Sequence, residues 1–252
     1  MHNTTQVIYV AWQAPNSRSW HTVGRLTNKN NTYLFEYTNG ALESKEFIPF
    51  AGMTDLYSTY SSNELFPLFS NRLLPSRRPE YKSFLSWMDV EYGRETPMTI
   101  FAKSGGFRST DNIQLFPEII PDNEGNFELD FFAHGIKYLS ESSQARIKNL
   151  NVGEKLFLMQ DTQNEYDSFA LAIRVEDPVE IVGYCPRFLA KDLSMLLSYN
   201  RNKVNITVTK NNRDAPTNYQ LMCKVRGECK ENRQLFMDRE FQSIATQNAR
   251  LG

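Results

Sequence analysis

Asp161, Glu165, Asp167 and Glu176 lie close in sequence, and a metal-dependent nuclease would want such carboxylates gathered near a lysine. Their spacing matches no nuclease pattern. Cys185, Cys223 and Cys229 are too few and too scattered for a zinc site, and His2, His21 and His134 lie far apart in the sequence. A cysteine nucleophile would find no base nearby. Ser104-Gly105-Gly106 has the look of a phosphate-binding turn, but Arg108-Ser109-Thr110-Asp111 completes no nucleotide fingerprint. These residues point to no catalytic chemistry, no metal and no cofactor. Three thiols without a disulfide framework fit reduced cysteines in a cytoplasmic protein.

The elements come next. Seventeen Phe and twelve Tyr in 252 residues favour a β-rich core, since aromatic rings pack well on a pleated face. The fold expected is α+β and mostly β. Val7–Trp12, His21–Leu26 and Thr32–Tyr37 read as strands, with turn chemistry in Asn28-Lys29-Asn30-Asn31. A helix capped by Ser61 or Ser62 is expected to carry Leu65, Phe66, Leu68, Phe69, Leu73 and Leu74, with Pro67 in its first turn. Another spans Tyr81 to Met88. Asp122-Asn123-Glu124-Gly125-Asn126 marks a turn before a strand through Phe127, Leu129, Phe131 and Phe132. Strands follow at Lys155–Gln160, Phe169–Val175 and Glu180–Gly183. Pro186 opens a helix through Leu189, Leu193, Leu196 and Leu197, and Val204–Thr209 and Tyr219–Val225 are late strands. The division this suggests is 1–95, a small β-structure with helices; 96–230, a barrel; and 231–252, a polar tail. The first apolar run is too short for a signal core or a membrane span, so no membrane partner is expected.

Two motifs stand out: Asn164-Glu165-Tyr166-Asp167, and Gly183-Tyr184-Cys185-Pro186-Arg187. Preceded by His134-Gly135-Ile136-Lys137-Tyr138 and Leu150-Asn151-Val152-Gly153-Glu154, they follow an order and spacing that resembles the HIRAN domain over roughly 131–226. That resemblance implies an OB-like barrel that grips the 3′ end of single-stranded DNA. Tyr138 and Tyr166 match positions where bases stack, and Lys137 and Arg187 match phosphate-contacting positions. Asp167 matches the acid that accepts a hydrogen bond from a terminal 3′ hydroxyl, which an internal phosphodiester cannot offer. Asn164 orders the loop, and Tyr184 stands where the best-known member has histidine. Lys137 replaces an arginine there, turning a bidentate contact into a point charge. The opening stretch around His134 to Tyr138 fits the family's first strand. Each of these residues also has a purely architectural reading: Asn-x-Tyr-Asp makes a good turn, Pro186 suits a helix start, and Tyr138 fits a core.

The charge pattern agrees with a nucleic-acid partner without requiring one. The whole chain balances 28 basic against 29 acidic residues, too neutral to coat nucleic acid indiscriminately. From Cys185 to Lys230, however, nine bases (Arg187, Lys191, Arg201, Lys203, Lys210, Arg213, Lys224, Arg226, Lys230) face three acids (Asp192, Asp214, Glu228). From Asp111 to Glu180 acids predominate, so a basic face is expected. The first part of the chain is similar to the small N-terminal subdomain of HipA-like kinases, through Val23-Gly24-Arg25-Leu26, Tyr33–Tyr37 and Leu65–Pro75. No kinase core follows. The expected function is therefore a non-catalytic binder of single-stranded DNA or its 3′ ends. The alternative is a module docking on a separately encoded HipA-like kinase or an ATPase, which would bind no DNA.

Overall fold

The computed structural model describes residues 6–165, 167–199, 203–229 and 235–245. The chain forms two compact units. The first gathers 1–85, 90–118 and 236–252, and the second gathers 86–89 and 119–235.

The first unit is built on an antiparallel sheet of β1 (Gln6–Gln13), β2 (Trp20–Lys29), β3 (Thr32–Tyr37), β4 (Thr59–Ser62) and β5 (Ile113–Pro117), in the order β4-β3-β2-β1-β5. Asn30 and Asn31 both take positive φ (54° and 62°), which gives the two-residue β2–β3 hairpin the twist its strands need. Three short helices complete the unit: α1 (Pro67–Ser70), most of α2 (Tyr81–Trp87) and α3 (Pro97–Ser104). Phe35, Tyr37, Phe69 and Phe101 are fully buried at the centre of its core.

The helix expected from Ser61 is not there. Thr59–Ser62 pairs with β3 as an edge strand, and the helix starts only at Pro67. Proline inside a longer helix would clash with the carbonyl four residues back, costing about 3 kcal/mol, so the residue sets the start. Arg72, just past α1, is structural. Its side chain is 1% exposed and bonds Asp111 at 2.6 Å, Leu68 O at 3.1 Å and Gly106 O at 2.9 Å.

Two expected boundaries move. Residues 97–118 belong to the first unit because β5 pairs along β1, from Ile8↔Pro117 to Trp12↔Ile113. The tail is not merely polar: Phe236, Phe241 and Ile244 are buried in the first unit. Phe236 and Phe241 pack their edges on Tyr9 at 5.9 and 5.4 Å, and the Asn39 side chain donates to the carbonyls of Arg239 and Gln242.

The second unit is a barrel. Its strands are β6 (Asn126–Phe132), β7 (Lys155–Gln160), β8 (Leu171–Val175), β9 (Glu180–Tyr184), β10 (Val204–Asn211) and β11 (Leu221–Glu228). They pair antiparallel in the order β6-β11-β10-β7-β8-β9. His134, two residues past β6, then pairs with Tyr184 at the end of β9 and closes the ring. Inward positions carry Phe127, Phe131, Leu156, Ile173, Ile206, Val208 and Val225, all buried. Two helices among the described residues of this unit, α4 (Glu141–Lys148) and α5 (Arg187–Tyr199), pack Ile147, Leu189 and Leu193 inward. The mostly-β fold class and the barrel expected from the sequence are those found.

Candidate nucleic-acid interface

Closure of the barrel brings the two sequence motifs together with the stretch before α4. Tyr184 and His134 exchange both backbone hydrogen bonds at 2.9 Å. The contact is so close that a Cβ on Gly183 would stand 2.7 Å from the Ala133 Cβ and 3.2 Å from the His134 carbonyl. Only glycine fits there, which gives the Gly-Tyr-x-Pro-Arg motif its first residue. Gly135 next takes φ +76° against the Tyr184 ring and turns the chain outward. Lys137 and Tyr138 therefore lie on a 3₁₀ turn, Ile136–Tyr138, and not on the opening strand expected for them.

The turn projects a base-sized ring into solvent. Tyr138 is 79% exposed, so the core reading of this residue fails, and Lys137 Nζ sits 4.6 Å from its ring centroid. An exposed ring with a cation beside it suits a base on one face and a phosphate nearby.

Tyr184 begins a chain of contacts. Its hydroxyl donates to Asp161 Oδ2 at 3.1 Å. Burial first, and Asp161 second, raise its pKa above the ordinary tyrosine value, so it stays a donor at neutral pH. Asp161 opens the β7–β8 loop, and its Oδ1 accepts from Gln163 N at 3.3 Å. Asn164 Oδ1 accepts from Asp167 N at 3.0 Å, and Asp167 Oδ1 accepts from Phe169 N at 3.0 Å. The turn reading of Asn-x-Tyr-Asp is thus correct, since both side chains brace backbone. The loop closes with Asp161 N donating to Ala170 O at 2.9 Å.

The same bracing aims Asp167 at α5. Its Oδ2 lies 3.6 Å from Arg187 Nε, an ion pair beyond hydrogen-bond reach. Asp167 is 16% and Arg187 35% exposed along their side chains. A carboxylate has more lone pairs than these contacts use, and a guanidinium has five donors. Both can engage a further polar group. Pro186 accepts from Leu189 and Ala190 at the start of α5, which sets Arg187 at the first helical position.

Lys137, Tyr138, Asn164, Asp167, Tyr184 and Arg187 thus lie on connected segments at one end of the barrel. Tyr166 lies outside the described residues. Asp161 links Tyr184 to the loop and was weighed from sequence only as a nuclease carboxylate. Its signal was its place three residues before Asn164, the spacing of an aspartate that organises a turn.

The expected basic face is largely cancelled. Lys224 meets Glu128 at 3.0 Å and Asp130 at 3.8 Å, and Arg226 meets Glu128 at 3.1 Å, because β11 pairs with β6. Lys203 pairs with Glu228, and Lys210 lies 3.5 Å from Asp89. Lys224 and then Arg226, through hydrogen bonds, hold the Glu128 carboxyl below its usual range. Arg201 and Lys230 lie outside the described residues. A shallow depression of about 790 Å³ beside these pairs is lined by Asn126, Glu128, Lys203, Asn205 and Arg226, with both signs of charge.

Among the described residues no group of three or more His, Cys, Asp and Glu side chains could hold a metal ion, and no helix is long and apolar enough to cross a membrane. All three cysteines are buried, and burial raises their thiol pKa values.

Residues 126–230 match the family model of the HIRAN domain. Among solved structures, the HIRAN domain of human HLTF is 18% identical with a TM-score of 0.32, covering 44% of this chain and 84% of that one. A protein from Lactobacillus plantarum is 17% identical with a TM-score of 0.31, covering 41% of this chain and 100% of that one. A search of curated proteins gives no match. The HipA-like resemblance of the first part finds no support in these comparisons.

Proposed function

We propose that the HIRAN domain at 126–230 binds single-stranded DNA and senses its 3′ hydroxyl, and that the protein acts by binding without catalysis. The observation that carries this reading is an exposed Tyr138–Lys137 pair and a braced Asp167–Arg187 pair on segments linked through Tyr184, where His134 closes the barrel. Tyr138 offers a stacking face. Lys137 and Arg187 offer charge to phosphates. Asp167 offers an acceptor that a hydroxyl terminus satisfies and a 3′ phosphate repels. Asn164, Asp161 and Tyr184 hold the acceptor in place. Tyr166, one residue from Asp167, is the second stacking residue in this proposal.

Fluorescence anisotropy with 5′-labelled strands ending in a 3′ hydroxyl or a 3′ phosphate, and with blunt duplex, tests it. The hydroxyl-ended strand should bind best. Tyr138→Ala should lose about 1–3 kcal/mol of strand affinity. Asp167→Ala should erase the preference for the hydroxyl end. An undiminished preference in Asp167→Ala would remove that residue from end sensing. Failure of the wild-type protein to bind any of the three would sink the nucleic-acid reading altogether.

A further inference from the structure

Phe157 occupies the outward face of β7 between two cations. Lys155 Nζ lies 4.9 Å and the Arg174 guanidinium 5.1 Å from its ring centroid. Lys155 is two residues earlier on β7, and Arg174 is the direct cross-strand partner of Phe157 on β8. Met159, two residues further along, is 42% exposed, and its row continues through Ala172 to Tyr184. Alternation puts Phe157, Met159 and Asp161 on one face, so the strip runs directly into the braced loop. Glu176 lies 3.8 Å from Arg174.

We infer that the Lys155–Phe157–Arg174 strip is a second contact for single-stranded nucleic acid, taking the nucleotides that precede the terminal one. This rests on the proposed single-strand reading of the same unit. The chemistry fits one occupant. Cations resting over a ring can turn to phosphates while a base stacks on the face they leave, whereas a protein partner needs no such alternation of cation and ring. Phe157 and Asp161 are four residues apart on an extended strand, about 13 Å. Barrels of this type occupy about 4–16 nucleotides, more than a single end pocket holds.

The test compares 5′-labelled oligothymidylates of about three and about nine nucleotides, both ending in a 3′ hydroxyl. The wild-type protein should bind the longer strand more tightly. Phe157→Ala should cut that length advantage about five-fold or more, and Phe157→Tyr should restore it. Phe157→Leu, which keeps apolar bulk without a ring, should behave like the alanine variant and covers the case in which that variant unfolds. Removing the two cations together, Lys155→Gln with Arg174→Gln, should lower the salt slope of long-strand binding by about 1.4, at about 0.7 per phosphate contact. An undiminished length advantage in Phe157→Leu, or an unchanged salt slope in the double variant, overturns the strip. A third strand, the longer one ending in a 3′ phosphate, separates the two readings: wild-type binding to it as tight as to its hydroxyl-ended counterpart would overturn end sensing alone, and no wild-type binding to any of the three would overturn both.

Discussion

Tyr184 shows how one side chain can serve the site without touching a ligand. Its hydroxyl anchors Asp161, and the loop that Asp161 opens holds Asn164 and Asp167. Tyr184→Phe removes a hydrogen bond to a charged acceptor and should cost about 1.5–3 kcal/mol, read as a lowered denaturant midpoint. It should also blunt discrimination between hydroxyl and phosphate ends more than it weakens overall strand affinity. Equal losses in both would mean that Tyr184 stacks on the strand directly. Tyr184→His offers a sharper readout. Protonation near pH 6.5 would place a cation beside the site, so the variant's affinity should climb as pH falls through about 6.5 while the wild type changes little.

At the scale of elements, barrel closure depends on the approach of β9 to Ala133 and His134. Gly183→Ala would drive a methyl group to 2.7 Å from the Ala133 Cβ and should destabilise the second unit by about 1–3 kcal/mol, measured by equilibrium unfolding. Other elements were legible in the sequence because their residues report locally: short apolar runs in β7, β8 and β9, a proline before α5, and two asparagines in the β2–β3 turn. The misread elements were decided by distant partners. Thr59–Ser62 is strand because β3 offers an open edge, and β5 joins β1 across about a hundred residues of chain. For the candidate site the motifs named Asn164, Asp167 and Arg187, and the structure joins them. Gly135 turned Lys137 and Tyr138 out of the expected strand, a left-handed turn that glycine permits but does not dictate. The bracing role of Asp161 and the cation-flanked ring of Phe157 are not legible, because neither residue departs from an ordinary loop or strand pattern. Their roles come from the neighbours that pairing delivers.

Charge behaves differently in the whole molecule than along the chain. The acids of β6 and the cations of β11 sit far apart in sequence and cancel across one strand pair. The salt slope for single strands should therefore be shallow, about −3 for contacts from Lys137, Arg187, Lys155 and Arg174, and not the steep value that nine bases would suggest. A slope near −6 would mean that the paired cations also reach the strand. Stability should respond to alkali. Burial pushes Tyr37 up from 10.0 to about 12, and burial followed by Glu118 pushes Tyr9 higher still. The folded chain keeps these protons where the unfolded chain releases them. Their stabilisation is thus full below about pH 10 and declines as pH rises through about 12. Melting temperatures across that window should fall, and Tyr37→Phe should flatten the decline.

The return of Phe236 and Phe241 to Tyr9 has a consequence for the order in which the protein is made. The barrel's strands are contiguous from 126 to 228 and leave the ribosome before the last aromatic residues of the first unit. The earlier-synthesised unit therefore waits, with Tyr9 and Phe116 uncovered, until the later one has emerged. Nascent chains arrested before Leu235 should yield a protease-resistant barrel and a labile remainder, the reverse of N-terminal-first maturation. Phe241→Ala should lengthen that vulnerable interval and weaken the finished first unit by about 3–5 kcal/mol.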